Sequence, residues 1–482
     1  MKMRIVVVGG GISGLAAAQR CLELAERQRL PIELTVLEAA SRFGGAIATE
    51  ITDGFVIEGG PDSFLSEKPW ALELARKLGL EGRLVGTNEQ FRRTYIAHRG
   101  RLHPLPEGFL LLAPTRLWPF ALSPLFSWKG KLRMAAEVLL PRGPALADET
   151  LASFVARRFG REAVERVAQP MIGGIYLANA EKLSLRATMP RFLDMERQRR
   201  SVLLAMRAQA RAARSSGSGA RWSLFLSFDA GLQVLVDALV QALGPARLCP
   251  STAVAEVNRT PTGWQVVTLA GETTHADAVI LAVPAARVAR MVRNSVPALA
   301  SELASIATIP SVTVSLAYPA SASPQPLSGF GFVVPRTEGL LTWACTLCHQ
   351  KYPGRAPEGT MLVRAFLGGE EQAAVLGWDD ARLVSAVREE IEPLLRIRSE
   401  PLFARVFRYP ETMPLYALGH TERVDRIERI LDAHAGLALA GNSYRGVGIP
   451  DCIHAGQRAA ERICSQLLER QVAAEQRVVE LF

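Results

Sequence analysis

A short apolar run, Arg4-Ile5-Val6-Val7-Val8, enters the loop Gly9-Gly10-Gly11-Ile12-Ser13-Gly14, and no other junction constrains the fold of this chain as tightly. A strand without a polar side is covered on both faces, so the run reads as a buried parallel strand. An Ala-rich helix is predicted from about Ser13 to Arg27, and a second strand, Ile32 to Leu37, ends at Glu38 and Ala39. Strand, glycine loop, helix, strand and acid in this order are the context in which GxGxxG marks a dinucleotide-binding unit. Gly9 permits the tight turn, Gly11 lets the backbone approach a pyrophosphate, and Gly14 lets the helix pack closely on the strand. The helix N-terminus, with Gly10, Ile12 and Ser13 around it, faces the phosphates. Glu38 can accept both hydroxyls of an adenosine ribose, and its charge disfavours a 2′-phosphate.

The chain of 482 residues is too long for one core, so two or three domains are expected. Half of it is hydrophobic and a fifth charged, which is globular rather than disordered. No apolar run is long enough to cross a membrane, and a strand starting near residue 3 leaves no room for a leader, so a cytoplasmic protein is expected. Only seven of the 56 basic residues behind the net charge of +9 are Lys. Coding bias explains the excess of Arg; the functional alternative is an acidic substrate or an anionic membrane surface. No compact basic block interleaved with aromatics is present, so nucleic-acid binding is not expected. The six Cys of a cytoplasmic chain are not expected to pair. Cys345-Thr346-Leu347-Cys348-His349 matches the haem-attachment pattern, but residues 340–347 read as a strand and no export signal is read, so neither haem attachment nor a metal site is expected.

Arg42-Phe43-Gly44-Gly45-Ala46 suggests a second loop over the same diphosphate. In 54–65 an alternating strand, Phe55 to Glu58, breaks into Gly59-Gly60-Pro61-Asp62-Ser63-Phe64, a backbone free of bulk that could lie against a flat ring. Residues 91–106 read as an Arg-rich hairpin, and about 107–214 as helical with Pro breaks. Within them, Pro114 to Leu140 crowds Trp118, Phe120, Leu122, Leu125, Phe126 and Trp128 beside Lys129, Lys131 and Arg133. The aromatic and basic residues do not separate by a helical period, so a buried helix corner is expected in preference to a membrane-facing or substrate-entry surface. Ser215 to Gly219 reads as a flexible linker. Hairpin strands are predicted over 251–257 and 263–269, an apolar strand over 277–284, and sheet strands over 312–316, 331–334, 340–347 and 361–367. Leu439 to Cys452 runs from a strand through a Gly-rich turn into a helix, which suits a diphosphate or a flavin carbonyl.

The pairing of 5–14 with 42–46 resembles the FAD-binding fold of the flavin amine oxidase and porphyrinogen oxidase superfamily. Segments 54–65, 329–335 with 366–369, and 439–452 resemble the oxygen-dependent protoporphyrinogen/coproporphyrinogen oxidases, and 91–106 and 114–141 look most like the soluble bacterial branch. The resemblance implies an α/β chain with a discontinuous Rossmann-like FAD domain of the amine-oxidase type (1–88, 222–296 and 436–482). It adds a mixed substrate-binding sheet (89–110 and 297–435) and a helical domain (111–221). It implies FAD at Gly9 to Gly14, Glu38, Ala39, Arg42, Gly44, Gly45, Ala46, Gly60, Pro61, Asp62, Ser63, Val254, Gly441, Val447, Gly448 and Ile449. It places substrate between Gly331, Val333 and Thr346 on one side and Phe366 on the other. Several relatives carry Arg where this chain has Thr94; Arg92, one pleat back on a strand, could reach a propionate instead.

The implied reaction is a six-electron oxidation of a porphyrinogen, coproporphyrinogen III or protoporphyrinogen IX, in three flavin cycles with dioxygen reduced to hydrogen peroxide. No constellation demands a catalytic base, and none is named. The resemblance leaves open a homodimer, contact with a ferrochelatase and peripheral attachment to the inner membrane face. A flavin amine oxidase is the nearest alternative. Two absences count against it: a flavin-tethering Cys in the C-terminal turn, and a Lys on a sheet strand, since the only Lys beyond 183, Lys351, sits in an apparent loop. A non-catalytic module that carries flavin or haem is the alternative from another class.

Overall fold

The computed structural model describes residues 2–110, 113–114, 116–144, 148–215 and 223–480. Strand Met3–Val8, helix Ile12–Gln28 and strand Ile32–Leu37 form the expected first unit. The two strands pair in parallel, and Arg247–Cys249, Ala278–Leu281 and Leu437–Leu439 complete a five-stranded parallel sheet. Ile5 and Val7 point into one core, with the Ala-rich face of Ile12–Gln28 and the C-terminal helix Ile449–Glu480. Val6 and Val8 point into another, against Ala285–Met291 and His420–Asp432. Both faces of the strand are therefore covered, which is why it has no polar side.

A second, seven-stranded sheet takes Phe403–Pro414, Thr308–Pro319, Thr360–Gly368, Ala344–Leu347, Gly331–Val333, Thr94–His98 and Arg101–Pro104 in that spatial order. Its side chains divide with period two. Val312, Val314, Leu316, Phe332, Cys345, Val363, Ala365 and Leu367 pack beneath helix Asp380–Leu395, on Leu383, Val387 and Ile391. The alternate residues face the first sheet's loops. Register makes two cross-strand rows on that face: Thr94, Gly331, Thr346, Arg364 and Ser315, then Ile96, Val333, Ala344, Phe366, Thr313 and Phe407. The strand expected over 340–347 is confined to Ala344–Leu347, because the amides of Leu341 and Thr342 donate to the Glu390 carboxylate instead of a ladder. The strand expected from 251 begins at Val254, because Ser251 and Thr252 donate to the carbonyls of Ala40 and Glu38.

Residues 117–144 and 148–215 are mainly helical, with a core around Phe109, Phe120, Phe126, Phe154 and Ile172. The buried corner expected at Pro114 to Leu140 is only half present. Phe120, Leu125, Phe126 and Met134 are buried, but Trp118, Leu122, Trp128, Leu132 and Leu139 are 70–80% exposed. The linker reading falls, apart from Ser215 at the end of Val202–Ser215, outside the described residues. Among the described residues no helix is long and apolar enough to cross a membrane, and no cluster of three or more His, Cys, Asp or Glu could hold a metal.

Candidate functional site

At the N-terminal loop, Gly10 and Ala40 donate their amides to the two Glu38 carboxylate oxygens at 2.6 and 2.8 Å. Gly11 and Gly44 bridge the first and second loops, and Gly44 donates to the Gly10 carbonyl. A Cβ built on Gly14 would overlap the Gly9 carbonyl, so that position admits only glycine. In front of Gly11 the nearest atom to such a Cβ is 3.9 Å away, and Gly441 opens on nothing within 4 Å. Open space beside the N-terminus of Ile12–Gln28 is what a diphosphate needs. Arg42 folds back, donating to the Ile47 and Gly45 carbonyls at 2.7 Å each, and so braces Gly44 to Ala46. The Ser251 and Thr252 bonds bring Val254 to the Glu38–Ala40 end.

Gly60 to Ser63 lies where the two sheets meet. A Cβ on Gly60 would overlap the Ala46 carbonyl. Arg364, 2% exposed, donates to the carbonyls of Glu58 and Gly60 at 2.7 and 2.9 Å and pairs with Asp62 at 3.1 Å. Lys351 pairs with Asp62 at 2.8 Å, and Ser63 donates to Asp62 at 2.7 Å. Burial pushes the Asp62 carboxyl up, but Lys351 and Arg364 outweigh it and hold it well below the usual carboxylate range. The expectation that Lys351 sits in a loop is corrected: it ends the one-turn helix Cys348–Lys351 and reaches the Gly60–Ser63 segment.

The expected substrate positions share one face. Gly331 lies opposite Thr346, and Val333 opposite Ala344, which lies opposite Phe366. Val333, Ala344, Phe366 and Val447 belong to one apolar cluster, so the C-terminal turn meets the sheet wall. Helix Gln169–Tyr176 closes a third side: at Gly174 a Cβ would stand 3.6 Å from both Val333 and Ala344. Tyr416 holds the turn, donating to the Asn442 carbonyl at 2.6 Å and accepting from the Gly446 amide at 2.8 Å. Gly448 precedes the last helix and Ile449 begins it, and in its first turn Asp451 pairs with Lys68 at 2.6 Å. Burial, then the Asp451 charge, pushes the Tyr176 hydroxyl up to about 12.

Arg92 does not take the expected strand position. The strand starts at Thr94, so pleat parity does not extend to Arg92, which caps a short turn and pairs with Glu89 at 3.1 Å while more than half exposed.

Sequence reasoning missed Arg364, Lys351, Tyr409 and helix Gln169–Tyr176. One signal was legible: Arg364 is the only charge in the otherwise apolar stretch Met361 to Leu367. The Tyr409 hydroxyl is buried without a partner among the described residues, and stands 3.4 Å from the Cβ that Gly60 lacks. Tyr409→Phe is expected to lower flavin affinity about five-fold, the worth of one hydrogen bond, without lowering apoprotein stability. Flavin titration and thermal melts check this.

Residues 12–464 match the family described as flavin containing amine oxidoreductase. Coproporphyrinogen III oxidase of Bacillus subtilis is 35% identical, covering 95% of this chain and 97% of its own length. That of Propionibacterium freudenreichii is also 35% identical, covering 96% and 91%. A solved structure from Exiguobacterium, provisionally assigned as a protoporphyrinogen oxidase, superposes with TM-score 0.85 at 31% identity, covering 97% of this chain and 99% of that one. Cyclohexylamine oxidase of Brevibacterium oxydans shares the fold, with TM-score 0.68 at 16% identity. The glycine loop at the N-terminus of Ile12–Gln28 and the uncrowded backbone at Gly11 and Gly441 fit the flavin that this family holds. By sequence over nearly its full length and by fold, the chain belongs to the flavin containing amine oxidoreductases and, among them, to the porphyrinogen oxidases.

Proposed function

We propose that this protein is an FAD-dependent oxidase of haem synthesis that converts coproporphyrinogen III to coproporphyrin III with dioxygen as acceptor. The carrying observation is the near-full-length likeness to relatives named coproporphyrinogen III oxidase. Glu38 at the ribose position and the Gly9–Gly14 loop favour the dinucleotide FAD over a shorter flavin. Bound flavin takes two electrons per round, so six-electron oxidation requires three rounds, each reducing one dioxygen to hydrogen peroxide.

The chain's own residues hold, orient and keep dry. Gly9 to Gly14, Glu38, Ala39, Arg42, Gly44 to Ala46, Gly60 to Ser63, Val254, Gly441 and Val447 to Ile449 are the proposed FAD contacts. Val333, Ala344 and Phe366 make an apolar wall that excludes water from a macrocycle whose bridging carbons give up hydride. Arg92, whose exposed pair with Glu89 is worth little, is free to exchange that partner for a propionate at the rim. The domain limits 1–88, 222–296 and 436–482; 89–110 and 297–435; and 111–221 are proposed with this reading.

Lys351 lies on a one-turn helix, not a sheet strand, and is paired with Asp62, so both arguments against an amine oxidase stand; the fold shared with an amine oxidase is the reason that amines belong in the test. Purified holoprotein is offered coproporphyrinogen III, protoporphyrinogen IX and a primary amine in air. Porphyrin fluorescence from coproporphyrinogen, several-fold faster than from protoporphyrinogen and with no amine turnover, is expected. Peroxide from the amine and no porphyrin would overturn the proposal. Phe366→Ala is expected to lower turnover about ten-fold, the scale of losing a well-packed wall, with flavin retained. Flavin loss instead would misplace that wall.

A further inference from the structure

His420 opens the helix His420–Asp432, and its ring stacks on Tyr416 with 4.0 Å between centroids and 18° between planes. Both side chains are buried, and both reach the turn that leads into the last helix. Tyr416 holds the Asn442 carbonyl and the Gly446 amide. His420 adds a hold between them: its Nε2 lies 2.8 Å from the Tyr444 carbonyl. A carbonyl only accepts, so Nε2 carries the proton and Nδ1 is the bare nitrogen of a neutral ring. That Nδ1 is buried and has no partner among the described residues. The turn is thus gripped through backbone atoms of Asn442, Tyr444 and Gly446. Its ends belong to the candidate site: Gly441 opens on nothing within 4 Å, and Val447 joins the apolar cluster of Val333, Ala344 and Phe366.

Only the neutral ring suits this place. A second proton would put a donor on Nδ1 with no acceptor and would bury a charge. His420 is also the first residue of its helix, where the dipole disfavours a cation. Burial lowers the proton affinity of the ring most. The Tyr444 carbonyl raises it, Arg423 and Arg445 lower it and Asp148 raises it, and the balance lies below the ordinary histidine value. These neighbours are themselves engaged. Arg445 pairs with Asp425 and Glu428 at 2.7 and 2.9 Å, and Arg423 with Glu302 at 3.7 Å. Asp148 accepts from the Gly419 amide and the Ser184 hydroxyl at 3.2 and 2.9 Å, and Glu422 pairs with Arg186 at 2.8 Å. Burial pushes the Tyr416 and Tyr444 hydroxyls up, so neither ionises.

We propose that His420 is a positioning residue for the flavin: as a neutral Nε2 donor it fixes the Tyr444 carbonyl and, with Tyr416, sets where Gly441 to Val447 stand against the cofactor and the substrate wall. The proposal rests on the reading that this turn contacts flavin. Protonated His420 still donates through Nε2, but its new Nδ1–H finds no acceptor, so the cation leaves the clamp and the turn loosens. The sign follows from the lowered proton affinity of the folded state. The contribution of His420 is complete above the ordinary histidine value, near 6.5, and is lost as pH falls through the lower folded one.

Flavin release from the purified holoprotein, followed by recovery of flavin fluorescence on dilution, tests it over a pH series from about 7.5 down to about 4.5, which spans the ordinary histidine value. His420→Phe keeps the stacked ring and removes the donor. It is expected to release flavin about ten-fold faster than wild type at the upper end, the scale of a buried carbonyl left without its donor, and to show no acceleration as pH falls. His420→Gln supplies an amide donor without a titrating ring. It is expected to match wild type at the upper end and to lack the acceleration that wild type shows toward acid. A merely structural role would not separate wild type from His420→Gln by pH. Wild-type release from His420→Phe would overturn the proposal, and so would an acid acceleration that His420→Gln retains. If His420→Phe does not fold, the comparison of wild type with His420→Gln decides by itself. A wild-type protein that neither carries nor takes up flavin would instead overturn the cofactor reading on which the proposal rests.

Discussion

Arg364→Met is expected to destabilise the protein by about 3–5 kcal/mol, the usual consequence of removing one partner from a buried ion pair, and to lose most of the bound flavin. The methionine fills the volume but cannot donate. The carbonyls of Glu58 and Gly60 lose the hydrogen bonds at 2.7 and 2.9 Å, and Asp62 keeps only Lys351 among its cations. The backbone from Glu58 to Asp62 is then no longer tied to the sheet. Chemical denaturation of the holo- and apoprotein separates the two effects, since a structural loss lowers both and a loss of cofactor support lowers only the first. Wild-type-like stability with full flavin would show that Arg364 is not the tie.

The same cluster sets a pH dependence. The Asp62 carboxyl lies lower folded than unfolded, so the folded state binds its proton less readily. Its contribution is complete above the unfolded value, near 3.9, and is lost as pH falls through that value toward the depressed folded one. Asp62→Asn is expected to flatten this acid limb while lowering stability at neutral pH, where Lys351 and Arg364 lose their counter-charge. A pH series of denaturation midpoints reads both.

Gly14→Val is expected to abolish flavin binding, by at least ten-fold in retained cofactor, and to cost about 3 kcal/mol, the upper part of the range for overpacking. Its Cβ would overlap the Gly9 carbonyl, and Ala282 Cβ stands only 3.2 Å off on the other side. Neither is the end of a flexible side chain, so strand and helix must separate. Gly82→Ala is the control, because nothing lies within 4 Å of its Cβ. Equal loss of flavin from both variants would mean that the purification strips cofactor. Retention by Gly14→Val would mean that the loop can move.

The first fifty residues were readable because their signals are local. An apolar run, three glycines at fixed spacing and an acid at the end of the next strand lie within one βαβ unit, and each has a steric or electrostatic reason to be where it is. The strand pattern 331, 333, 344, 346, 364, 366 was partly readable too, since period two puts alternate residues on one face wherever the strands pair. Which strands pair, and in which register, was not. Arg364 and Lys351 show the limit. Their partner Asp62 lies roughly three hundred positions away, at separations of 302 and 289, and no window of sequence contains both.

The exposed apolar stripe of helix Trp128–Ala135 and the turn Ala136–Leu139, at Trp128, Leu132, Ala135 and Leu139, shows a different limit. Its period is plain once the helix is oriented, but an apolar stripe in a sequence does not say whether it faces a core or solvent. The buried pair of Glu137 with Arg158 decides that, by fixing which side of the helix turns inward. Arg92 failed for a smaller reason: the strand begins at Thr94, two residues later than pleat counting assumed. Sequence alone determined the βαβ unit and the family, because these rest on spacing along the chain. Tertiary structure decided the charges gathered at Asp62, the wall of the candidate site and the outward apolar face, because each depends on groups that meet only when the chain has folded.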